Sequence, residues 1–209
     1  MKQFQNIIES AEQLNEIWGN PGKLASSKVI DHLDHHCINF LSLSPFALIG
    51  TSNSNGECDV SPRGDHPGFI LILNEKQLVI PERPGNKRLD SIRNLLENPH
   101  ASLLCLIPGL NESLRITGKA SVIRDQDILE QMQARGKTPI AGIAIEVEEC
   151  FIHCGKALKR SQLWDSEKWP AAGELPKANE ILADHAKFDE FDANSVAAAL
   201  EESYKKRLY

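Results

Sequence analysis

The chain has 209 residues, 41% of them hydrophobic and 25% charged, with a formal net charge of −6. Such proportions belong to a globular protein of one domain, or of one domain with a decorated end. The acidic balance excludes a general affinity for nucleic acid, so any bound anion has to meet a local group of basic residues.

Two helices are expected at the start. Ser10 is an N-cap candidate with Ala11, Leu14, Ile17 and Trp18 at helical spacing behind it, and Gly19-Asn20-Pro21 ends the run. A second helix begins near Pro21 and carries Leu24, Val29, Leu33 and finally Cys37 inward. Within it, DHLDHH puts His32 and His36 one turn apart, a spacing that suits a shared metal. There is no His-Glu-x-x-His pattern and no third ligand to name, so the stretch reads as a polar helix face and no metal is expected. The opening MKQFQNIIESAEQ turns polar before a leader-type apolar run builds up, and no window reaches the roughly eighteen apolar residues of a membrane span. The expected location is the cytoplasm. Five cysteines without a CxxC pair read as reduced thiols.

From Phe46 the periodicity changes to two. Strands are expected at 47–51, 57–61, 69–73, 77–80, 101–107, 113–124 and 140–154, the last long enough to need a bend or bulge. Helices are expected at 87–98, ended by Asn98-Pro99, at 126–135, stopped by Gly136, and at 195–206. Successive hairpins with one inserted helix are not the alternation of a doubly wound fold, and no GxGxxG follows a strand. A small antiparallel barrel fits better, because closure removes exposed edges.

The most informative stretch is VIPERPGNKRLDSIRNLLENPHASLLCLIPGLNESLRITGKASVIRD. A strand ends, Pro84-Gly85 turns, and a helix is expected to start at Asn86 with Lys87 and Arg88 in its first turn, where the helix dipole disfavours cations. With Arg83 upstream and Ser91 one turn on, this reads either as a phosphate site or as a solvated basic helix end.

The strand, the GNKR turn, the helix ending in ENP, ASLLCLIPG and LRITGKA together resemble the FMN-binding core of the pyridoxamine 5′-phosphate oxidase class. SPRGD at Ser61–Asp65 and HCGKALKRSQLW at His153–Trp164 are similar to one branch of that class. The resemblance implies a mainly β fold with flanking helices (α+β), a six-stranded antiparallel split β-barrel. It would comprise N-terminal helices packing on the barrel (1–40), the FMN-binding core (41–165) and a C-terminal loop and helix extension (166–209). By the same resemblance the FMN phosphate lies against Lys87 and Arg88, with Arg83, Asn86 and Ser91 beside them. Ser61, Arg63 and Asp65 meet the polar edge of the flavin, and Arg160 and Trp164 cover it from a second subunit. A homodimer with FMN at its interface is therefore implied, acting as an oxidoreductase on a small molecule, with NAD(P)H as a candidate reductant. The alternatives are a flavin-binding stress or sensor protein without turnover, or a split barrel that uses deazaflavin or haem. The vitamin-B6 oxidase itself ends in Arg-Leu-x-Pro, whereas this sequence ends in KKRLY, so its substrate residues do not carry over.

Overall fold

Burial alternates residue by residue from Ala47 onward, and the sheet begins there. The computed structural model describes residues 4–187 and 192–209. Among them seven strands form one sheet: β1 (Phe46–Ser52), β2 (Cys58–Gly64), β3 (Leu71–Asn74), β4 (Gln77–Glu82), β5 (His100–Leu106), β6 (Ser113–Ile123) and β7 (Ala141–His153). Their order is β2-β1-β5-β6-β7-β4-β3, and every neighbouring pair is antiparallel. Seven strands stand where the resemblance implied six; the difference is a minor one, and the four-residue β3 pairs only with β4.

Ala47 and Ile49 of β1 meet Leu78 and Ile80 of β4, near the other side of the sheet, in a single buried cluster with Leu103, Ile116 and Ile143. A flat sheet would hold these strands far apart. The sheet is therefore curled about one core, and the fold is an antiparallel split barrel with flanking helices. The long final strand contains the expected bulge: Thr117 pairs with Glu149 and Gly118 with Val147, leaving Glu148 without a partner. Gly118 sits at that step, where an added Cβ would meet the Glu146 carbonyl oxygen.

Helix α1 (Ala11–Trp18) forms as expected, with the Ser10 side chain accepting from the Gln13 N–H. It buries no residue, and Leu14, Ile17 and Trp18 are exposed. The single second helix is not formed. The chain makes α2 (Lys23–Ser27), then pairs Ile30 with Cys150 of β7, then starts α3 (His35–Leu43) with Asp34 as its N-cap. Leu24 is 83% exposed, whereas Leu33 and Cys37 are buried. DHLDHH thus straddles a helix start. His32 precedes the helix and pairs with Asp31, so it shares no helix face with His36. Asp34, His35 and His36 bring ligand-type atoms within 4.8 Å of one another, but Asp34 already accepts the Cys37 N–H.

The remaining α-helices among the described residues are α4 (Asp90–Glu97), α5 (Gln126–Glu130), α6 (Lys156–Ser161), α7 (Ala178–Ala186) and α8 (Ala193–Lys206). The expected helix at 126–135 stops at Glu130, where Gln131 and Met132 donate three residues back instead of four, and Arg135 and Gly136 then adopt left-handed φ in a tight turn between Ala134 and Lys137. No described helix is long and apolar enough to cross a membrane.

Candidate functional site

Strand β2 alternates like β1, but its inward residues are Asp59, Ser61 and Arg63. A strand that turns polar groups inward needs polar partners for them. Asp59 Oδ2 accepts from Ser61 Oγ at 2.8 Å and from Ser91 Oγ of α4 at 2.6 Å. Arg63 meets Glu82 at the end of β4, Nη2 to Oε2 at 3.2 Å, with the two side chains 18% and 16% exposed. Burial pushes the Glu82 carboxyl above its ordinary range, and the Arg63 charge offsets this only in part. Arg63 Nε and Glu82 Oε2 are buried without a hydrogen bond, so the ion pair leaves a donor and an acceptor unmet.

One turn of chain further, Asp65 Oδ2 accepts from Arg83 Nε at 2.8 Å, and Arg83 Nη2 donates to the Met132 carbonyl at 2.8 Å. Burial alone would raise the Asp65 pKa. Hydrogen bonds from the Tyr209 hydroxyl and the His66 N–H, with the charge of Arg83, outweigh it and hold the group below its usual value. The same carboxylate pushes the Tyr209 phenol up.

The basic turn differs from expectation. Helix α4 starts at Asp90, not at Asn86, because Lys87 and Leu89 both take left-handed φ, 63° and 59°. Asn86 Oδ1 accepts the Arg88 N–H at 3.0 Å, closing an Asx-type turn. Lys87 and Arg88 therefore lie in a loop before the helix, and the first helical turn carries an acidic residue, Asp90, which pairs with Arg88 Nε at 2.8 Å. The dipole argument does not apply to them in the form expected. What remains is a basic loop in which the Lys87 side chain has no ion pair among the described residues.

One cavity of about 960 Å³ gathers Ser61, Arg63, Asp65, Arg83, Asn86, Lys87, Arg88 and Ser91. Arg160 and Trp164 are not in it: Arg160 is exposed on α6, and the half-buried Trp164 donates its indole N–H to the Leu110 carbonyl at 2.8 Å. His153 ends β7, exposed, and is also outside the cavity. The sequence reading missed Glu82, Leu208 and Tyr209 as lining residues. Glu82 stands in the PERPG segment that was already singled out, and its acidity among arginines was the available signal. Tyr209 had none. Exposed apolar side chains of Leu89 and Ile140 complete the wall.

No curated protein matches the sequence. Several solved structures are similar in fold at low identity. One described as a putative pyridoxamine 5′-phosphate oxidase from Lactobacillus delbrueckii has 19% identity and a TM-score of 0.46, covering 59% of this chain and 98% of its own. An FMN-binding protein from Syntrophomonas wolfei has 12% identity and a TM-score of 0.43, with 56% and 81% covered. HutZ, described as a haem storage protein from Vibrio cholerae, has 16% identity and a TM-score of 0.42, with 58% and 93% covered. The family description pyridoxamine 5′-phosphate oxidase matches residues 33–154, from the start of α3 through the whole sheet. That span is more than half of the sequence and includes the basic loop and the Arg63–Glu82, Asp65–Arg83 and Arg88–Asp90 ion pairs of the cavity, and the chain belongs to the pyridoxamine 5′-phosphate oxidase family.

Proposed function

We propose that the chain is an FMN-binding flavoprotein that acts as an oxidoreductase on a small molecule. The observation that carries this reading is the unmet Arg63 Nε in the wall of the same cavity that holds the basic loop. The cavity is at the upper end of the roughly 300–1,000 Å³ of small-molecule sites. A ligand with a polar planar edge and a phosphate fits both features. Lys87, Arg88 and Asn86 would hold the phosphate, and Arg63 would meet an acceptor on the ring edge.

FMN, when bound, supplies the hydride chemistry. The residues do the rest. Arg63 favours negative charge on whatever edge faces it, and Glu82 fixes the guanidinium in place. The carboxyl of Glu82, pushed up by burial, holds its proton to higher pH than an exposed glutamate does. Leu89 and Ile140 give the wall an apolar surface. The reading includes a homodimer, in which Arg160 and Trp164 of a second copy reach the flavin. Its support is the exposed apolar surface of Leu89 and Ile140 where the cavity wall meets solvent.

The visible spectrum of the purified protein tests the cofactor. Oxidised FMN bands that bleach on adding NADH or NADPH are the expected result, in a species that sediments as a dimer. Haem or deazaflavin bands would overturn the cofactor assignment, and flavin bands unaffected by either reductant would favour the non-catalytic alternative.

A further inference from the structure

Tyr209 reaches the cavity from the far end of the sequence and is held there by its hydroxyl, its ring and its carbonyl oxygen. Its hydroxyl donates to Asp65 Oδ1 at 2.6 Å. Its ring lies beneath two guanidinium groups, 5.7 Å from Arg83 and 4.9 Å from Arg135 measured to the ring centroid. Its carbonyl oxygen accepts from Lys137 Nζ at 2.6 Å.

Two of the groups that hold it, Asp65 and Arg83, are also fixed by other partners. The Asp65 side chain is 3% exposed and is fixed by Arg83, which is fixed in turn by the Met132 carbonyl. Arg135 and Lys137 sit on a turn closed by two reciprocal hydrogen bonds between Ala134 and Lys137, at 3.0 and 3.1 Å. The occupant, by contrast, follows a helix, α8, that buries no residue. A carboxylate and a guanidinium fixed elsewhere, and two cations carried on a closed turn, thus surround the phenol.

We propose that Asp65, Arg83, Arg135 and Lys137 form a binding subsite for a phenolic small molecule, a planar hydroxylated aromatic bearing a carbonyl or carboxylate oxygen, and that Tyr209 occupies it in the resting chain. The proposal rests on the cavity being the ligand site described above, and it names the substrate class. Each group supplies one element of recognition. Asp65 Oδ1, which also accepts from the His66 N–H, takes a further hydrogen bond that a ring without a hydroxyl cannot supply. The paired guanidinium groups select an electron-rich face. Lys137 takes the oxygen at the other end. A tethered occupant competes at an effective concentration on the order of millimolar, so a free phenol must displace it.

The test uses calorimetry on the full chain, flavin-free and after incubation with FMN, with N-acetyl-tyrosinamide and N-acetyl-phenylalaninamide as probes. Tyr209→Ala is expected to bind the tyrosine probe at least about tenfold tighter than the unsubstituted protein does, and about tenfold tighter than it binds the phenylalanine probe. Adding Asp65→Asn should erase that preference. Should Tyr209→Ala fold poorly, Tyr209→Phe keeps the ring and should still improve binding of the tyrosine probe severalfold. Binding of neither probe, or of both alike, would overturn the proposal and leave Tyr209 as an anchor for α8. FMN titration of the same samples reads the flavin assignment separately, since a phenol preference without FMN binding would sink only that assignment.

Discussion

Replacing Lys87 and Arg88 together by Glu is expected to weaken FMN binding by on the order of a hundred- to a thousandfold, while riboflavin, which lacks the phosphate, changes little. Both residues line the cavity, and the loop that carries them is shaped by the Asn86 side chain and by two left-handed residues rather than by a helical turn. A phosphate there would gain charge-assisted hydrogen bonds from both side chains, and two carboxylates would repel it. The fold should hardly notice. Both side chains are exposed, and Arg88 has only the surface pair with Asp90 to lose, so the melting temperature of the flavin-free protein should move by no more than about 2 °C. Fluorescence-quenching titrations with the two flavins, beside a thermal melt, make the measurement. Equal losses for FMN and riboflavin would show that the loop shapes the cavity without binding phosphate, and unchanged FMN affinity would move the phosphate toward Arg63 and Arg83.

Gly118→Ala is expected to cost about 3 kcal/mol or more, lowering the melting temperature by roughly 6–12 °C. The new methyl would be driven onto the backbone carbonyl of Glu146 and against Ile145, in the middle of the longest strand pair of the barrel. Backbone cannot rotate away as a side chain can, so either the bulge opens or β6 and β7 part. Gly109→Ala is the control. Gly109 also resists a side chain, at φ 87°, but nothing lies within 4 Å of the added Cβ, so only the backbone term of roughly 1–2 kcal/mol remains. A Gly118→Ala protein that melts within about 2 °C of the original would contradict the close approach of the two strands.

The barrel was legible because its signals are local. Alternating burial runs through β1 and β5, Asn-Gly and Asn-Glu-Lys turns separate the early strands, and the excess length of β7 announced its bulge. The break between α2 and α3 was not legible, because the contact that enforces it joins Ile30 to Cys150 across the chain. The start of α4 was misplaced for a different reason. Left-handed backbone is foreseen at Gly and Asn, and here Lys87 and Leu89 adopt it. Of the site, the two-residue spacing of Ser61, Arg63 and Asp65 placed three groups toward one cavity. The partners that complete it, Glu82 for Arg63 and Tyr209 for Asp65, are 19 and 144 positions away; Glu82 showed only as an acid among arginines, and Tyr209 left no trace in local pattern.

The cysteines divide into two populations with different chemistry. Cys58 and Cys154 are exposed, whereas Cys37, Cys105 and Cys150 are buried in the core, with the sulfurs of Cys37 and Cys150 3.3 Å apart where α3 meets β7. Burial pushes the Cys105 thiol up to about 12, so it offers almost no thiolate while folded. An alkylating reagent should therefore reach the two exposed thiols in the folded protein, and the other three only when the barrel opens. Mass spectrometry of the slow adducts would time that opening: simultaneous labelling of all three means that helix and sheet breathe as one body, and earlier labelling of Cys37 means that α3 lifts off first.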